Sequence, residues 1–340
     1  MRTGRVHRST PHRGTLLTRG NKGIRGQRGT RGNARIWGRG GAAALGALLL
    51  AGCGLGGDEG DAGGTSGGTG GKPAAAAPAA KPSPRAKPLP QALREGAEVN
   101  LFDGRTVGVG MPVSVTFARP VPAAERAAVE KRLKVTTDNG TTGSWSWVKD
   151  RNLHEGQRID YRPETYWKPG TKITVRAGKA IDTTVTVGRS LVATVDVRRH
   201  TMTVVKAGAT RRVPITAGAP GMDTWNGTMV VSDKQRRVLM DSRTVGYGDA
   251  YKGYYDYAVH LTTSGTYLHQ NPKANTFAGN TNVTHGCIGL ATDGTARRFY
   301  DEVIPGDVIR VTGSTETVAA GNGYGDWNVP WDQWKAGSAL

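Results

Sequence analysis

The sequence predicts a mainly β protein in which a β-sandwich is followed by a second β-rich domain with one helix. The first observation is a series of short segments that alternate apolar with polar or small residues, as half-buried strands do. The second is the set of turn signals between these segments, such as Asp138-Asn139-Gly140 and Lys168-Pro169-Gly170. With 340 residues, the chain is long enough for two domains and flanking tails.

Residues 1–52 are predicted to be a lipoprotein-type signal peptide. They carry eleven Lys and Arg residues and no acid, and residues 40–52 form an apolar run. That run is shorter than the roughly 20 residues needed to span a bilayer. It ends at Leu50-Ala51-Gly52-Cys53, which resembles the bacterial lipobox, whose cysteine becomes the lipidated first residue. An ordinary cleaved signal peptide with a chance cysteine is the alternative, and a translation start downstream of Met1 is also open.

Residues 53–90 are predicted to be a disordered tether. They are rich in Gly, Ala, Pro, Ser and Lys, and such a segment cannot bury enough apolar surface to offset its ordering entropy. A tether of this kind would allow the folded domains of a lipid-anchored protein to move in the space above the membrane. The formal net charge of +19 falls to +8 without residues 1–52. This modest surplus suits an acidic wall polymer and does not indicate nucleic-acid binding.

Residues 91–188 are predicted to form the β-sandwich. One helix, from Ala123 to Leu133, interrupts the strands, and the segment contains no cysteine and no cluster of titratable residues. It is therefore interpreted as a spacer domain, with Trp145, Trp147 and Trp167 in its core. The predicted strands cover residues 107–110, 113–117, 133–136, 144–148 and 172–175.

Residues 189–315 are predicted to form the second β-rich domain. Its helix follows Leu290, with Thr292 as the N-cap and Pro305-Gly306 beyond its end. The Trp-rich residues 316–340 are expected to pack on this domain through Trp327, Trp331 and Trp334. The apolar stripe of the helix consists of Ala296, Phe299, Tyr300 and Val303. The predicted strands cover residues 191–197, 202–205, 212–215, 227–231, 238–240, 257–261, 266–269 and 307–311.

Cys287 is the candidate nucleophile. It has no expected disulfide partner, because the other cysteine of the sequence, Cys53, lies in the lipidation motif. A cysteine flanked by His285 and preceded by His269 provides the parts of a thiolate nucleophile and its base. His269 is the expected base, because it follows residues 266–268 of a predicted strand. If that strand neighbours the segment of Cys287, the ring of His269 can reach the thiol. The amides of Gly286 and Cys287 are the expected oxyanion donors.

The position of Cys287 also predicts its ionisation. The residue lies on a connection that leads into the predicted helix, where helix-end amides and the helix dipole favour a thiolate.

A zinc site made from Cys287, His260, His269 and His285 is an alternative, but their spacing lacks the paired ligands of a structural site. The sequence therefore favours a cysteine enzyme without a metal or another cofactor.

The motif around Cys287 resembles a known enzyme family. His269, fourteen intervening residues and then Thr284-His285-Gly286-Cys287 resemble the signature of the L,D-transpeptidases, which have a YkuD-type catalytic domain. Further segments, 107–110, 166–171 and 325–334, look like the lipoprotein L,D-transpeptidases of mycobacteria and other actinobacteria. Those enzymes have a lipobox, a linker, an immunoglobulin-like domain and then the catalytic domain. The resemblance covers roughly residues 100–340 and implies this order here, with 91–188 immunoglobulin-like and 189–315 catalytic.

The resemblance implies acyl transfer on bacterial peptidoglycan. Cys287 would attack the carbonyl of the third residue of a tetrapeptide stem and release D-Ala. The side-chain amine of a second stem would then resolve the thioester and form a 3–3 cross-link. Stem peptides are thus the expected donor and acceptor, and carbapenem-type β-lactams the expected inhibitors. Simple aromatic packing of a flap is the alternative for two of the residues that the resemblance implies, Tyr251 and Met240. By the same resemblance the site comprises the base His269, the flap residue Tyr251, the pocket residue Met240, and His285, Gly286, Thr284 and Gln270.

Two positions depart from the family pattern. Gly289 lies where the family usually has Asn or Arg, and Gln270 follows the base, where Ser is frequent. A backbone carbonyl can orient the imidazole in place of Ser, so activity is expected to persist. L,D-carboxypeptidase action and a catalytically impaired wall-binding lipoprotein are the alternatives. The expected location is the outer face of the cell membrane, with action in the cell wall.

Overall fold

The computed structural model describes residues 88–340, which belong to one compact unit. The predicted signal peptide, the lipidation site Cys53 and nearly all of the predicted tether lie outside these residues. Within the described range, no helix combines the length and the apolar composition needed to cross a membrane.

The first domain is a β-sandwich. Its helices are α1 (Gln91–Glu95) and α2 (Ala123–Glu130). Its strands are β1 (Ala97–Val99), β2 (Thr106–Val107), β3 (Val113–Phe117), β4 (Lys134–Thr137), β5 (Ser144–Trp147), β6 (Arg158–Arg162), β7 (Lys172–Ala177) and β8 (Ile181–Val187). They form two four-stranded sheets in the orders β1-β3-β6-β5 and β2-β8-β7-β4. Alternate residues of β7 and β8 are buried, as expected for strands with one face on a core.

Several boundaries in the sandwich differ from the prediction. The helix ends at Glu130 instead of residue 133, and the strand predicted at 107–110 is reduced to two residues. Gly108 and Gly110 leave the strand because their amides donate to the carbonyls of Pro305 and Gly306 in the second domain. A Cβ at Gly108 would lie 2.2 Å from Asp307 N, so this close approach requires glycine. The sequence also did not predict β1, β6 or β8.

The second domain contains two sheets and the helix predicted after Leu290. Its helices are α3 (Ala274–Phe277), α4 (Thr295–Glu302) and α5 (Trp331–Ala336), with 3-10 turns at Ser242–Val245 and Asp326–Asn328. Its strands are β9 (Leu191–Asp196), β10 (Thr201–Lys206), β11 (Ala209–Pro214), β12 (Gly227–Val230), β13 (Asp233–Asp241), β14 (Lys252–His260), β15 (Tyr267–Gln270), β16 (Ile288–Leu290) and β17 (Val308–Thr312). The sheet orders are β11-β10-β9-β17-β12 and β13-β14-β15-β16. The mainly β prediction is thus confirmed.

The apolar stripe of α4 is buried as predicted, but the predicted N-cap residue of this helix is wrong. Ala296 and Phe299 are buried in the core of the second domain. Thr292 is not the N-cap, since its hydroxyl and amide bond the side chain of Asn275. Instead, Asp293 accepts the amide hydrogen of Thr295, and Gly294 enters the helix with a φ of 97°. That left-handed backbone favours glycine.

The tryptophans of the tail pack on the first domain, so the prediction that they pack on the catalytic domain is wrong, although Val318 and Asn328 of the tail do contact that domain. The indole of Trp334 donates to the carbonyl of Ser144, and that of Trp327 to the carbonyl of Gly110. The guanidinium of Arg162 lies over the rings of Trp327, Trp331 and Trp334. A tryptophan pattern predicts burial but does not identify the partner surface.

A buried ion cluster joins the first domain to the tail. Arg158 is almost fully buried and pairs with Asp150 at 2.7 Å and with Asp160. It also donates to the carbonyl of Gly323 at 3.0 Å. The nearby Asp326 is fully buried, and its burial, followed by the charge of Asp160, raises its pKa well above the usual value. The cluster therefore holds the tail through one cation shared by several acceptors.

We predict that Arg158→Met destabilises the protein by about 3–5 kcal/mol, because two buried carboxylates lose their cation. Urea unfolding followed by fluorescence measures the loss. Arg176→Met is the matched control: its pair with Asp182 is exposed, and its removal should cost less than about 1 kcal/mol. Equal effects of the two substitutions would contradict a structural role for the cluster.

Candidate active site

The pairing of β15 with β16 positions the predicted base and nucleophile. The two strands are parallel, with His269 opposite Gly289, and Cys287 immediately precedes β16. Because alternate residues of extended chain share a face, the side chains of His269 and Cys287 point to the same side. Both line a cavity of about 260 Å³, together with Met240, Tyr251, Tyr255, Asn271, Thr284 and His285.

The turn before Cys287 is closed by a threonine. Thr284 is buried, and its hydroxyl donates to the carbonyl of Cys287 at 2.6 Å. Gly286 has a φ of 107°, a conformation that residues with a Cβ rarely adopt. Its amide, predicted as an oxyanion donor, here donates to the hydroxyl of Thr284 at 3.3 Å. Thr284 therefore shapes the backbone that carries Cys287, the predicted nucleophile.

The thiol of Cys287 is buried and neutral. Its sulfur lies 3.7 Å from the carbonyl of Gly265, to which it donates. Burial raises the pKa of the thiol to about 11, and a backbone hydrogen bond from Tyr267 only partly opposes this effect. The prediction of a helix-stabilised thiolate is wrong, because Cys287 leads into strand β16 and helix α4 begins only at Thr295.

His269 is also buried and neutral. Its Nδ1 lies 2.7 Å from the carbonyl of Gln270, which fixes Nδ1 as the protonated nitrogen and leaves Nε2 as an acceptor. Burial lowers the pKa of the imidazole to about 4, opposed in part by that carbonyl. The ring of Tyr255 packs edge-on at 4.7 Å. A backbone carbonyl thus orients the imidazole, as expected, and the side chain of Gln270 is not needed for this.

The hairpin of β13 and β14 covers the cavity with aromatic side chains. The ring of Tyr251 lies 5.2 Å from that of His285, and its burial raises its pKa to about 12. Ser242 holds the tip of the hairpin, because its hydroxyl lies 2.6 Å from the carbonyl oxygen of Gly248, to which it donates, and accepts from the amide of Tyr251. Met240 lies on β13 and is buried. Tyr251 and Met240 are therefore both at the site, and Tyr255 is a neighbour that the sequence did not single out.

The departure at Gly289 has a local explanation. A Cβ there would lie 2.9 Å from Cγ2 of Thr216 and 3.0 Å from Cβ of Asn271. The space for a side chain is therefore already filled, in part by Asn271, which lines the cavity. The sequence did not identify Asn271, since its proximity to Gly289 depends on the strand register.

A second, larger cavity adjoins the first. It has a volume of about 390 Å³ and shares Tyr251 and His285 with the thiol cavity. Gly286, the residue before Cys287, also lines it. The remaining zinc candidate, His260, is engaged elsewhere: its ring nitrogens lie 2.8 Å from Asp233 and 2.7 Å from the carbonyl of Thr262.

Comparison with known proteins identifies the family. A profile described as a bacterial Ig domain matches residues 90–180, and one described as the L,D-transpeptidase catalytic domain matches residues 190–311. The chain is 35% identical over 222 residues to L,D-transpeptidase 1 of Mycobacterium tuberculosis, covering 64% of this chain and 84% of that protein. The chain belongs to the L,D-transpeptidase family.

Other similar proteins agree with this membership. L,D-transpeptidases 2 and 5 of Mycobacterium tuberculosis are 31% and 32% identical and match 70% and 72% of this chain. The chain spans only 60% and 56% of their lengths. Among solved structures, an LD transpeptidase in complex with imipenem is 34% identical with a TM-score of 0.57, covering 63% of this chain and 97% of that chain. The predicted family and fold class are confirmed.

We predict that alkylation of Cys287 by iodoacetamide rises about tenfold per pH unit from pH 7 to 10, because the folded thiol titrates near pH 11. Mass spectrometry of the peptide that contains Cys287 follows the reaction. The same protein unfolded in urea is the control and should level off above pH 9 or so, since a free thiol has a pKa of about 8.5. A rate that is flat between pH 5 and 9 in the folded protein would indicate a thiolate–imidazolium pair instead.

Proposed function

We propose that this protein is a peptidoglycan L,D-transpeptidase that forms 3–3 cross-links through a thioester on Cys287. The observation that carries the proposal is the placement of Cys287 and His269 on one face of β15 and β16, in one cavity. A buried thiol that shares a cavity with an imidazole whose Nε2 is unprotonated is suited to nucleophilic attack with proton transfer. Family membership supports the same reaction class.

In the first half-reaction, Cys287 becomes acylated. The thiol proton passes to Nε2 of His269 as the sulfur attacks the carbonyl carbon of the third residue of a tetrapeptide stem. The bond to the terminal D-Ala then breaks, and His269 returns the proton to the leaving amine. Because both groups are neutral at rest, charge appears only as the substrate carbonyl accepts the sulfur.

In the second half-reaction, the acyl group leaves the sulfur. The side-chain amine of a second stem attacks the thioester carbon, the carbon–sulfur bond breaks, and the amine proton passes through His269 back to the sulfur. Tyr251 and His285 lie between the two cavities and can contact both stems. Water in place of the amine would yield a tripeptide, which is L,D-carboxypeptidase action.

Carbapenem-type β-lactams are the proposed inhibitors. One similar structure contains imipenem, and L,D-transpeptidase 3 of Mycobacterium tuberculosis carries a faropenem-derived adduct. A strained cyclic amide offers the thiol the same kind of carbonyl as a stem peptide, so Cys287 would open the ring and become acylated.

Action on the wall also requires the right location. We propose that lipidation of Cys53 anchors the protein to the outer face of the cell membrane and that residues 53–90 act as a tether. The lipobox-like sequence and the composition of residues 54–90 support this arrangement.

We predict that incubation with tetrapeptide stems yields a cross-linked dimer and free D-Ala, as read by mass spectrometry of the products. Cys287→Ala, checked for folding by circular dichroism, should reduce the rate by at least about 10³-fold. Tripeptide without dimer would establish a carboxypeptidase. No product from the folded wild-type protein would favour the wall-binding scaffold and contradict the proposal.

We predict that Cys53→Ala moves the protein from the membrane fraction to the soluble fraction, because the acyl chains would have no attachment site. Immunoblots of fractionated cells measure the distribution. Cys287→Ala is the control and should stay with the membrane. Unchanged membrane retention of the Cys53 variant would rule out the lipid anchor at this residue.

A further inference from the structure

The larger cavity beside the nucleophile carries three charged side chains from separate segments. Arg151, Asp223 and Glu316 line its wall, and Gly286 and His285 form its border with the catalytic residues. The smaller cavity, by contrast, contains the thiol and His269 with only Lys273 as a charged residue. The two cavities therefore suit different chemical groups.

Arg151 belongs to the immunoglobulin-like domain but faces the catalytic site. Its backbone amide donates to the carbonyl of Gly321 at 2.9 Å, and a Cβ at Gly321 would lie 1.9 Å from the carbonyl oxygen of Lys149. The next tail residue, Asn322, is buried and bonds both the amide and the hydroxyl of Ser264. Ser264 lines the same cavity. The loop that carries Arg151 is thus fixed against the catalytic domain.

The guanidinium of Arg151 is available for a ligand. Among residues 88–340 it forms no ion pair, whereas Arg158 on the same domain pairs with buried carboxylates. A guanidinium presents paired donors that match a carboxylate. The carboxylates of Asp223 and Glu316 in the same cavity suit an ammonium group. The cavity therefore matches a group that carries an amine and a carboxylate close together.

We propose that Arg151 is a specificity-determining residue for the acyl acceptor and binds a carboxylate next to the reacting amine. This inference rests on the proposed transpeptidase function. The thiol cavity takes the acyl group, because the reacting carbonyl must contact the sulfur, which leaves the charged cavity to the second stem. Asp223 and Glu316 attract the protonated amine, which gives its extra proton to solvent water before it attacks the thioester.

The test compares two acceptor stems on the acylated enzyme. One has a free carboxylate beside the side-chain amine, and the other has a carboxamide at that position. Arg151→Ala should raise the KM for the carboxylate acceptor by at least about tenfold, since a charge-assisted hydrogen bond is lost. The KM for the carboxamide acceptor and the rate of donor acylation should stay close to wild type, and Arg151→Lys should recover part of the loss.

Arg105→Ala is the matched control, because Arg105 is an exposed arginine of the same domain that does not line the cavity. It should leave both KM values unchanged. Equal losses on both acceptors, or slower donor acylation in Arg151→Ala, would overturn the assignment while leaving the transpeptidase proposal standing. Failure of the wild-type protein to be acylated at all would overturn both.

Discussion

The parallel pairing of β15 with β16 is the constraint on which the site depends. A shift of one residue in this register would turn His269 or Cys287 to the opposite face and separate the proposed base from the proposed nucleophile. Several contacts hold the surrounding backbone in place. Thr284 closes the turn before Cys287, and the carbonyl of Gly265 accepts from the thiol. The loop that contains Gly265 is in turn held by Asn322 of the tail.

This chain of contacts links the immunoglobulin-like domain to the candidate active site. The buried Arg158 holds the tail through Gly323, and the tail holds the loop next to the thiol. The first domain is therefore more than the spacer that its sequence indicates. Burial of the site has a second consequence, since it raises the pKa of Cys287 and lowers that of His269, so that both groups are neutral in the free protein. A neutral thiol is protected from adventitious oxidation and alkylation.

The features that the sequence predicted are those with local signatures. Alternating strands, the stripe of α4 and the motif from His269 to Cys287 can each be recognised within a short window. The missed features depend on tertiary contacts. Strand β6 was not predicted, because its charged residues Arg158 and Asp160 are buried in an ion cluster. A strand that is buried on both faces also lacks the alternation of apolar and polar residues by which strands are recognised. Three other features likewise depend on neighbours that are distant in sequence. They are the ionisation of Cys287, the surface on which Trp327 and Trp334 pack, and the proposed role of Arg151 in acceptor binding.

The central claim is that the sulfur of Cys287 accepts the acyl group of a stem peptide. Intact-protein mass spectrometry after rapid mixing with a tetrapeptide stem, followed by peptide mapping, tests it most directly. We predict a transient adduct on Cys287 that adds the mass of the stem peptide minus the mass of free D-Ala, because the thiol hydrogen leaves on the amine of D-Ala. An unmodified Cys287 during turnover, or an adduct on a different residue, would contradict the proposed role of Cys287.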